Sequence, residues 1–222
     1  MKALDLFCGA GGATRGLQRA GFHVTGVDYD FQPRYCGDAF VWCNAIDGNR
    51  DYRKWLRRFD FIWASPPCQR FSEVTPAHAR ASHPDLIEPT RAMLKASGAP
   101  YVIENVEGAP LVDPVTLCGT MFPGLRVLRH RLFEASFPIV APSHGKHPLV
   151  HTLDKRKGHY GRTDDMRDFV QVTGGGNSSK RAAADAMGID WMTKDELNEA
   201  IPPAYSEWIA RQFLAQRNQV AA

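Results

Sequence analysis

The chain opens on an apolar run broken by one acid, Ala3-Leu4-Asp5-Leu6-Phe7, too short for a helix and dense enough for a strand buried on both faces. A glycine-rich turn, Gly9–Gly12, follows, and then a helical pattern to about Ala20 that stops at Gly21, a common helix terminator. His23–Val27, Phe61–Ala64 and Tyr101–Ile103 read as further strands. Pro84–Ser97 reads as a helix that offers Leu86, Ile87, Met93 and Leu94 to a sheet. Strands alternating with helices at this spacing predict an α/β fold, a largely parallel sheet with helices on both faces. Ligands of such sheets sit beyond the carboxyl ends of the strands.

After Leu125 the pattern changes. Arg126–Phe133 predicts a strand with a turn. Pro138, Pro142 and Pro148 then interrupt a stretch rich in His and Lys, and Gly174–Gly176 with Asn177, Ser178 and Ser179 marks a joint. Helices resume at about Arg181–Met187, at Thr193–Ala200, where Thr193 and Glu196 have capping-box spacing, and from Pro202 to about Gln216. The expected organisation is a core of residues 1–133, a short basic insertion of 134–180, and C-terminal helices of 181–222 that complete the core.

Length and composition narrow the class. A chain of 222 residues, 44% hydrophobic and 23% charged, fits one globular domain. No run reaches the roughly 18 apolar residues of a membrane span, and no basic-then-apolar leader opens the chain. A cytoplasmic protein with no membrane partner is expected. Five cysteines, none in a CxxC pair, argue against a disulfide framework and against a structural zinc site. The net charge of +3 hides an asymmetry: residues 126–181 carry eleven Lys+Arg against five Asp+Glu, a net of +6, and the rest sixteen against nineteen, a net of −3. A basic stretch of this kind fits either a face that meets a polyanion or a solvated surface.

Two segments carry candidate chemistry. In Leu4-Asp5-Leu6-Phe7-Cys8-Gly9-Ala10-Gly11-Gly12, a strand runs into a tight turn at a helix start, where the backbone can approach a ligand and the helix N-terminus favours negative charge. Asp28 closes the next strand about 20 residues on, where α/β nucleotide folds hold ribose hydroxyls, and Tyr29 beside it offers a ring to a base. By itself such a turn also serves a purely structural role. Ser65-Pro66-Pro67-Cys68-Gln69-Arg70-Phe71-Ser72 follows directly on the strand ending at Ala64. Its two prolines stiffen the turn and hold the Cys68 thiol at the carboxyl edge of the sheet, and the polar loop disfavours a packing role. Tyr101–Val106 brings Glu104 to the same edge, and a carboxylate ending a buried strand is costly unless paired or functional.

The strings DLFCGAGG, SPPCQRFS and IENV, in this order and spacing, resemble the DNA (cytosine-5) methyltransferases. The resemblance implies a Rossmann-like class I methyltransferase fold, S-adenosylmethionine as cofactor, and methyl transfer to C5 of a cytosine flipped out of duplex DNA. It implies Cys68 as nucleophile, Glu104 as the residue that holds and protonates the ring, and Arg129 and Arg131 as the arginine pair at the cytosine. Asp5, Phe7, Gly9, Gly11 and Gly12 correspond to the cofactor turn, Asp28 and Tyr29 to its ribose acid and adenine-stacking aromatic, and Asn44 and Ala45 to the adenine contact. Pro66, and Ile201 in the run EAIPP, complete that side. Gln69, Ser72 and Asn105 are implied on the substrate side, and Arg181 opens RAAADAMGIDW, which resembles the late motif that supports recognition. Two positions depart from the family pattern, Asn44 where an aspartate is usual and Glu199 where an asparagine is usual.

The larger departure is length. Members of the family place a sizeable recognition domain between the arginine pair and the late motif, and the residues available here are too few for an independent core. His144, His147, His151 and His159, irregularly spaced and without a cysteine partner, make a poor metal pattern, so no metal is expected. Lys155, Arg156 and Lys157 are expected on phosphates, which position a duplex without reading its sequence. Short or relaxed recognition by a monomer follows. Exocyclic amino methylation is disfavoured, because Cys68 stands where an aromatic is needed after the prolines. RNA or a free nucleotide as substrate and a silent DNA-binding decoy remain as alternatives.

Overall fold

The computed structural model describes residues 1–46, 50–147, 169–173 and 178–220. Strand β1 (Lys2–Leu6) is buried from its second residue on, and leads through the glycine turn into helix α1 (Gly12–Arg19). Strand β2 (His23–Asp28) follows, then β3 (Ala39–Trp42), helix α2 (Arg50–Leu56) and β4 (Phe61–Ala64). A short helix α3 (Ala77–Arg80) and a longer one, α4 (Ile87–Ser97), precede β5 (Tyr101–Asn105), β6 (Val115–Leu117) and β7 (Arg131–Ala135). Helices α5 (Lys180–Met187), α6 (Lys194–Glu199) and α7 (Pro203–Val220) end the chain. Thr193 and Glu196 form the expected capping box of α6, and Pro203 takes the first position of α7, where a missing N–H costs nothing.

The strands form one seven-stranded sheet in the order β3-β2-β1-β4-β5-β7-β6. β1 to β5 pair in parallel, while β7 runs antiparallel to both β5 and β6. This is the Rossmann-like arrangement of class I methyltransferases, with the strand order reversing between β1 and β4. Strand β7 starts later than the sequence pattern predicts, because the backbone of residues 126–128 bonds to Val170 and Ala186 instead: Val127 forms an isolated bridge to Val170 outside the sheet. It also runs to Ala135, across the expected start of the insertion.

Each face of the sheet buries its own layer. Phe61, Trp63 and Phe133 pack with Leu17 of α1 and Tyr205, Ile209 and Phe213 of α7. Leu4, Leu6, Ile62 and Ile103 pack with Leu56 of α2 and Met93 and Leu94 of α4. Burying a large apolar side chain contributes roughly 1.5–3 kcal/mol. A third cluster, Val127, Val170, Val172, Ala183, Met187 and Leu197, seats α5 and α6 against the chain that leads into β7. Among the described residues no helix is long and apolar enough to cross a membrane.

Candidate active site

The carboxyl edges of β1 and β2 form the first half of the site. The backbone turns sharply after Leu6: Phe7 adopts φ 60° and Gly11 φ 90°. A left-handed phenylalanine costs on the order of 1–3 kcal/mol and persists only where its surroundings fix it, which is common at ligand sites. Gly12 is required for a different reason: a Cβ there would stand 2.5 Å from the carbonyl oxygen of Ile201. The turn is thereby closed by the C-terminal segment, and Ser206 Oγ reinforces it by donating to the carbonyl of Ala13 at 2.8 Å.

Beneath the turn Asp5 is fully buried and accepts from Thr14 Oγ1 at 2.5 Å, while its Oδ1 has no partner among the described residues. Burial pushes its carboxyl up to about 7, against the pull of Thr14. Thr14 Oγ1 also lies 3.1 Å from the Tyr35 hydroxyl, a support that the sequence pattern did not point out. Asp28 accepts from the backbone N–H of Gly9 at 2.8 Å and of Asp30 at 3.0 Å, which ties the end of β2 to the glycine turn. The Tyr29 ring is exposed beside Trp42, whose indole N–H donates to the Tyr29 carbonyl at 2.7 Å. Asn44 caps the next turn by accepting from Ile46 N at 2.9 Å, and Ala45 is buried. Burial and the nearby Asp28 raise the carboxyl of Glu199, so this departure adds a carboxyl at the same edge.

The carboxyl edges of β4 and β5 form the second half. Asn105, buried at the end of β5, donates from Nδ2 to the carbonyl of Pro66 at 2.9 Å and so staples the proline turn to the neighbouring strand. Cys68 is half-buried within that turn, and its carbonyl accepts from the N–H groups of Phe71 and Ser72, both at 2.9 Å. Burial pushes its thiol up and Glu104 pushes it further, while Arg131 and Arg129 draw it back. Glu104 is buried, and Arg131 Nε lies 3.1 Å from its Oε1. Burial keeps the carboxyl raised although Arg131, the Ser65 hydroxyl and Arg129 all favour its charge. Gln69 is exposed, and Ser72 Oγ accepts from Val74 N at 3.3 Å. The edge thus holds a thiol, a carboxyl whose burial favours its protonated form, and a guanidinium in mutual electrostatic contact.

Other expected residues lie apart from these contacts or outside the described residues. Arg129 is buried with its Nη atoms bound to the carbonyls of Val172 and Asn198 at 2.5 and 2.7 Å, which clamps the C-terminal segments to the chain before β7. Its burial, beside Arg131, pushes it down to about 9, and it reaches Cys68 and Glu104 through its field alone. Arg181 stands exposed on α5, 3.9 Å from Asp185, with no contact to Cys68, Glu104 or Arg131 among the described residues. Lys155, Arg156 and Lys157 lie outside the described residues, as do His151 and His159. The expectation that the histidines lack a cysteine partner fails: Cys118 Sγ lies 3.6 Å from His147 Nε2, 29 positions away in the chain. A cavity of about 740 Å³ lies elsewhere, lined by Arg57, Phe59, Pro100 and Phe213, and contains none of the expected site residues.

Comparison with known proteins agrees with this geometry. The profile of the C-5 cytosine-specific DNA methylase family matches residues 1–112. No curated protein matches the chain. Among solved structures, a prophage-encoded E. coli protein assigned as a DNA modification methyltransferase superposes with a TM-score of 0.69 at 16% identity, over 98% of this chain and 99% of that one. The Dnmt2 methyltransferase of S. pombe gives 0.62 at 14% identity, over 98% and 99%. The Entamoeba histolytica methyltransferase EhMeth gives 0.58 at 11%, over 99% and 98%. At these identities the structures attest the fold, and the profile attests the family. The chain belongs to the C-5 cytosine-specific DNA methylases.

Proposed function

We propose that the protein transfers a methyl group from S-adenosylmethionine to C5 of cytosine in DNA, through a covalent bond between Cys68 Sγ and C6 of the base. The observation that carries this reading is Glu104, a buried carboxyl held above its ordinary range at the same strand edge as the Cys68 thiol. A carboxyl that retains its proton near neutrality can donate to N3 of cytosine and accept from the exocyclic amine. The Cys68 thiol gives its proton to solvent, the resulting thiolate adds to C6 as N3 takes the proton of Glu104, and the displaced π pair makes C5 nucleophilic. After C5 is methylated, loss of its proton expels Cys68 and restores the ring. Cysteine suits both steps, being strongly nucleophilic and a good leaving group. Arg131 holds Glu104 in register, and Asn105 holds the turn that carries Cys68.

The cofactor supplies an electrophilic methyl group when bound. The first strand edge fits it: Asp28 keeps lone pairs beyond those used by Gly9 and Asp30, the Tyr29 ring is free to stack, and the space beside Gly9 is open, with nothing within 4 Å of where a Cβ would stand. These residues would hold its ribose, its adenine and its methionine end. The target carbon lies inside the base stack, so the base must leave the duplex to reach Cys68. The basic segment before α5 would track phosphates and give short or relaxed recognition.

Incubation with labelled S-adenosylmethionine and cytosine-containing duplex DNA, followed by nucleoside analysis, tests the reading: 5-methylcytosine in DNA is expected. Label in tRNA or free nucleotide alone would move the substrate away from DNA. Methylation mapping over a genome tests recognition, and a strict site of five or more bases would refute relaxed reading.

A further inference from the structure

We propose that Cys118, His130, His144 and His147 together bind one zinc-class divalent cation in a closed tetrahedral site. Cys118 follows directly on β6, His130 directly precedes β7, and the β6–β7 register pairs Leu117 with Arg131. One step further along the same antiparallel register brings Cys118 opposite His130. The segment after β7 then returns His144 and His147 to that end of the strand pair. One donor atom from each of the four residues lies within 4.8 Å of every other.

The separations match a metal better than a set of hydrogen bonds. Nitrogens about 2.0–2.1 Å from a tetrahedral centre stand about 3.3–3.4 Å apart, and a nitrogen and a sulfur at about 2.3 Å stand about 3.5–3.6 Å apart. Here Nε2 of His130 and His144 are 3.3 Å apart, Nε2 of His144 and His147 3.1 Å, and Cys118 Sγ and His147 Nε2 3.6 Å. Nε2 of His144 meets both His130 and His147, and a ring nitrogen has a single proton or a single lone pair, so hydrogen bonds cannot account for both contacts at once. The surroundings suit a cation as well. Glu107 Oε2 lies 3.8 Å from His130 Nδ1, the place of the carboxylate that commonly orients a ligating histidine, and Thr120 Oγ1 donates to Cys118 Sγ at 3.4 Å.

The donor set decides the class of ion. One thiolate and three imidazoles suit zinc and its neighbours, not calcium or magnesium, which take oxygen ligands. Four protein ligands leave no open position, the mark of a structural site. On binding, the Cys118 S–H bond breaks, the sulfur–metal bond forms and the proton passes to solvent. The metal ties residues 144–147 to the backbone that carries Arg131, doing for a segment too short to build its own core what a staple does in small proteins. This replaces the sequence expectation of a metal-free chain.

Cobalt(II) titration of the full chain, reduced and stripped of metal, tests the site, together with zinc content of the protein purified without a metal-affinity step. One equivalent is expected, with a thiolate-to-cobalt charge-transfer band and the intense visible bands of tetrahedral cobalt. Cys118→Ser should remove the charge-transfer band. His144→Ala and His147→Ala change exposed residues and leave the core intact, and each should weaken binding beyond the roughly 10–100-fold that outer-shell partners cost. Cys68→Ser and His78→Ala should leave the spectrum unchanged. Absence of stoichiometric binding, or binding that survives both histidine variants, would overturn the proposal. None of these readouts depends on methyl transfer.

Discussion

Glu104 and Glu134 lie one strand apart in the same antiparallel pair, each nearly inaccessible at 5% and 4% exposure and each beside an arginine. Their registers, Glu104 with Phe133 and Glu134 with Ile103, put them on opposite faces of the sheet. Glu134 receives Nε and Nη2 of Arg91, both at 2.8 Å, and the backbone N–H of Val112 at 2.9 Å. These donors outweigh burial, and its carboxyl is lowered. Glu104 has the single guanidinium contact of Arg131 at 3.1 Å and the Ser65 hydroxyl, and there burial wins. Burial alone therefore does not decide the state of a carboxyl; the supply of donors does. The well-supplied glutamate fastens β7 to α4, and the under-supplied one holds a proton more readily than an ordinary glutamate.

The largest effect should come from Cys68, which Glu104 faces electrostatically and Glu134 does not. Cys68→Ser is expected to abolish methyl transfer and leave cofactor binding intact by calorimetry; turnover at the wild-type rate would eliminate it as nucleophile. Glu104→Gln should slow turnover by about 10²–10⁴-fold, the usual cost of lost acid–base catalysis, with no loss of thermal stability. Glu134→Gln should do the reverse, losing up to about 3–5 kcal/mol in chemical denaturation because the buried Arg91 keeps only the exposed Glu88 as a charge partner, with kcat per folded molecule retained. If both glutamates respond alike, the contrast between them is void.

Titration of stability sharpens the same contrast. A lowered acid such as Glu134 contributes stability above the ordinary glutamate value of about 4.3 and loses it as pH falls through the folded value. Glu104, raised, does the opposite: the unfolded chain releases its proton first, so stability falls as pH rises from about 4.3 to the folded value. Asp5 behaves likewise between its ordinary 3.8 and about 7. Relative to wild type, Glu104→Gln should therefore gain stability as pH rises from about 4.3 to the folded value of Glu104, whereas Glu134→Gln should lose it only below about 4.3, as pH rises from the folded value of Glu134, in urea denaturation at a series of pH values. The smallest effect is expected from Asn105→Ala, about 1–3 kcal/mol for the carbonyl of Pro66 left unpaired, accompanied by a rate loss as the Cys68 turn loosens.

The parts legible in the sequence are those with dense local signals. Lys2–Leu6, Phe61–Ala64 and Tyr101–Asn105 are strands rich in apolar residues; the glycine turn and the Cys68 turn follow directly on the first two, and Glu104 lies in the third. Strand β3 escaped because Ala39–Trp42 lies at the sheet edge with no fully buried residue, so neither alternation nor an apolar run marks it. Helix α2 has a polar stretch, Arg50–Lys54, and β6 is three residues long. The role of Arg129 was hidden for another reason: the carbonyls it holds, of Val172 and Asn198, are 43 and 69 positions away. The meeting of Cys118 with the histidines depends on the β6–β7 register, which no spacing rule contains.

The contact of Gly12 with Ile201 also sets a schedule for the protein's birth. Ser206 meets Ala13 across 193 positions of chain, so the loop that receives the cofactor leaves the ribosome long before the segment that closes it. At roughly 5–20 residues per second, that interval is about 10–40 s. Until it has passed, a nascent chain already carrying Cys68 and Glu104 holds a glycine turn that Ile201 and Ser206 have not yet closed.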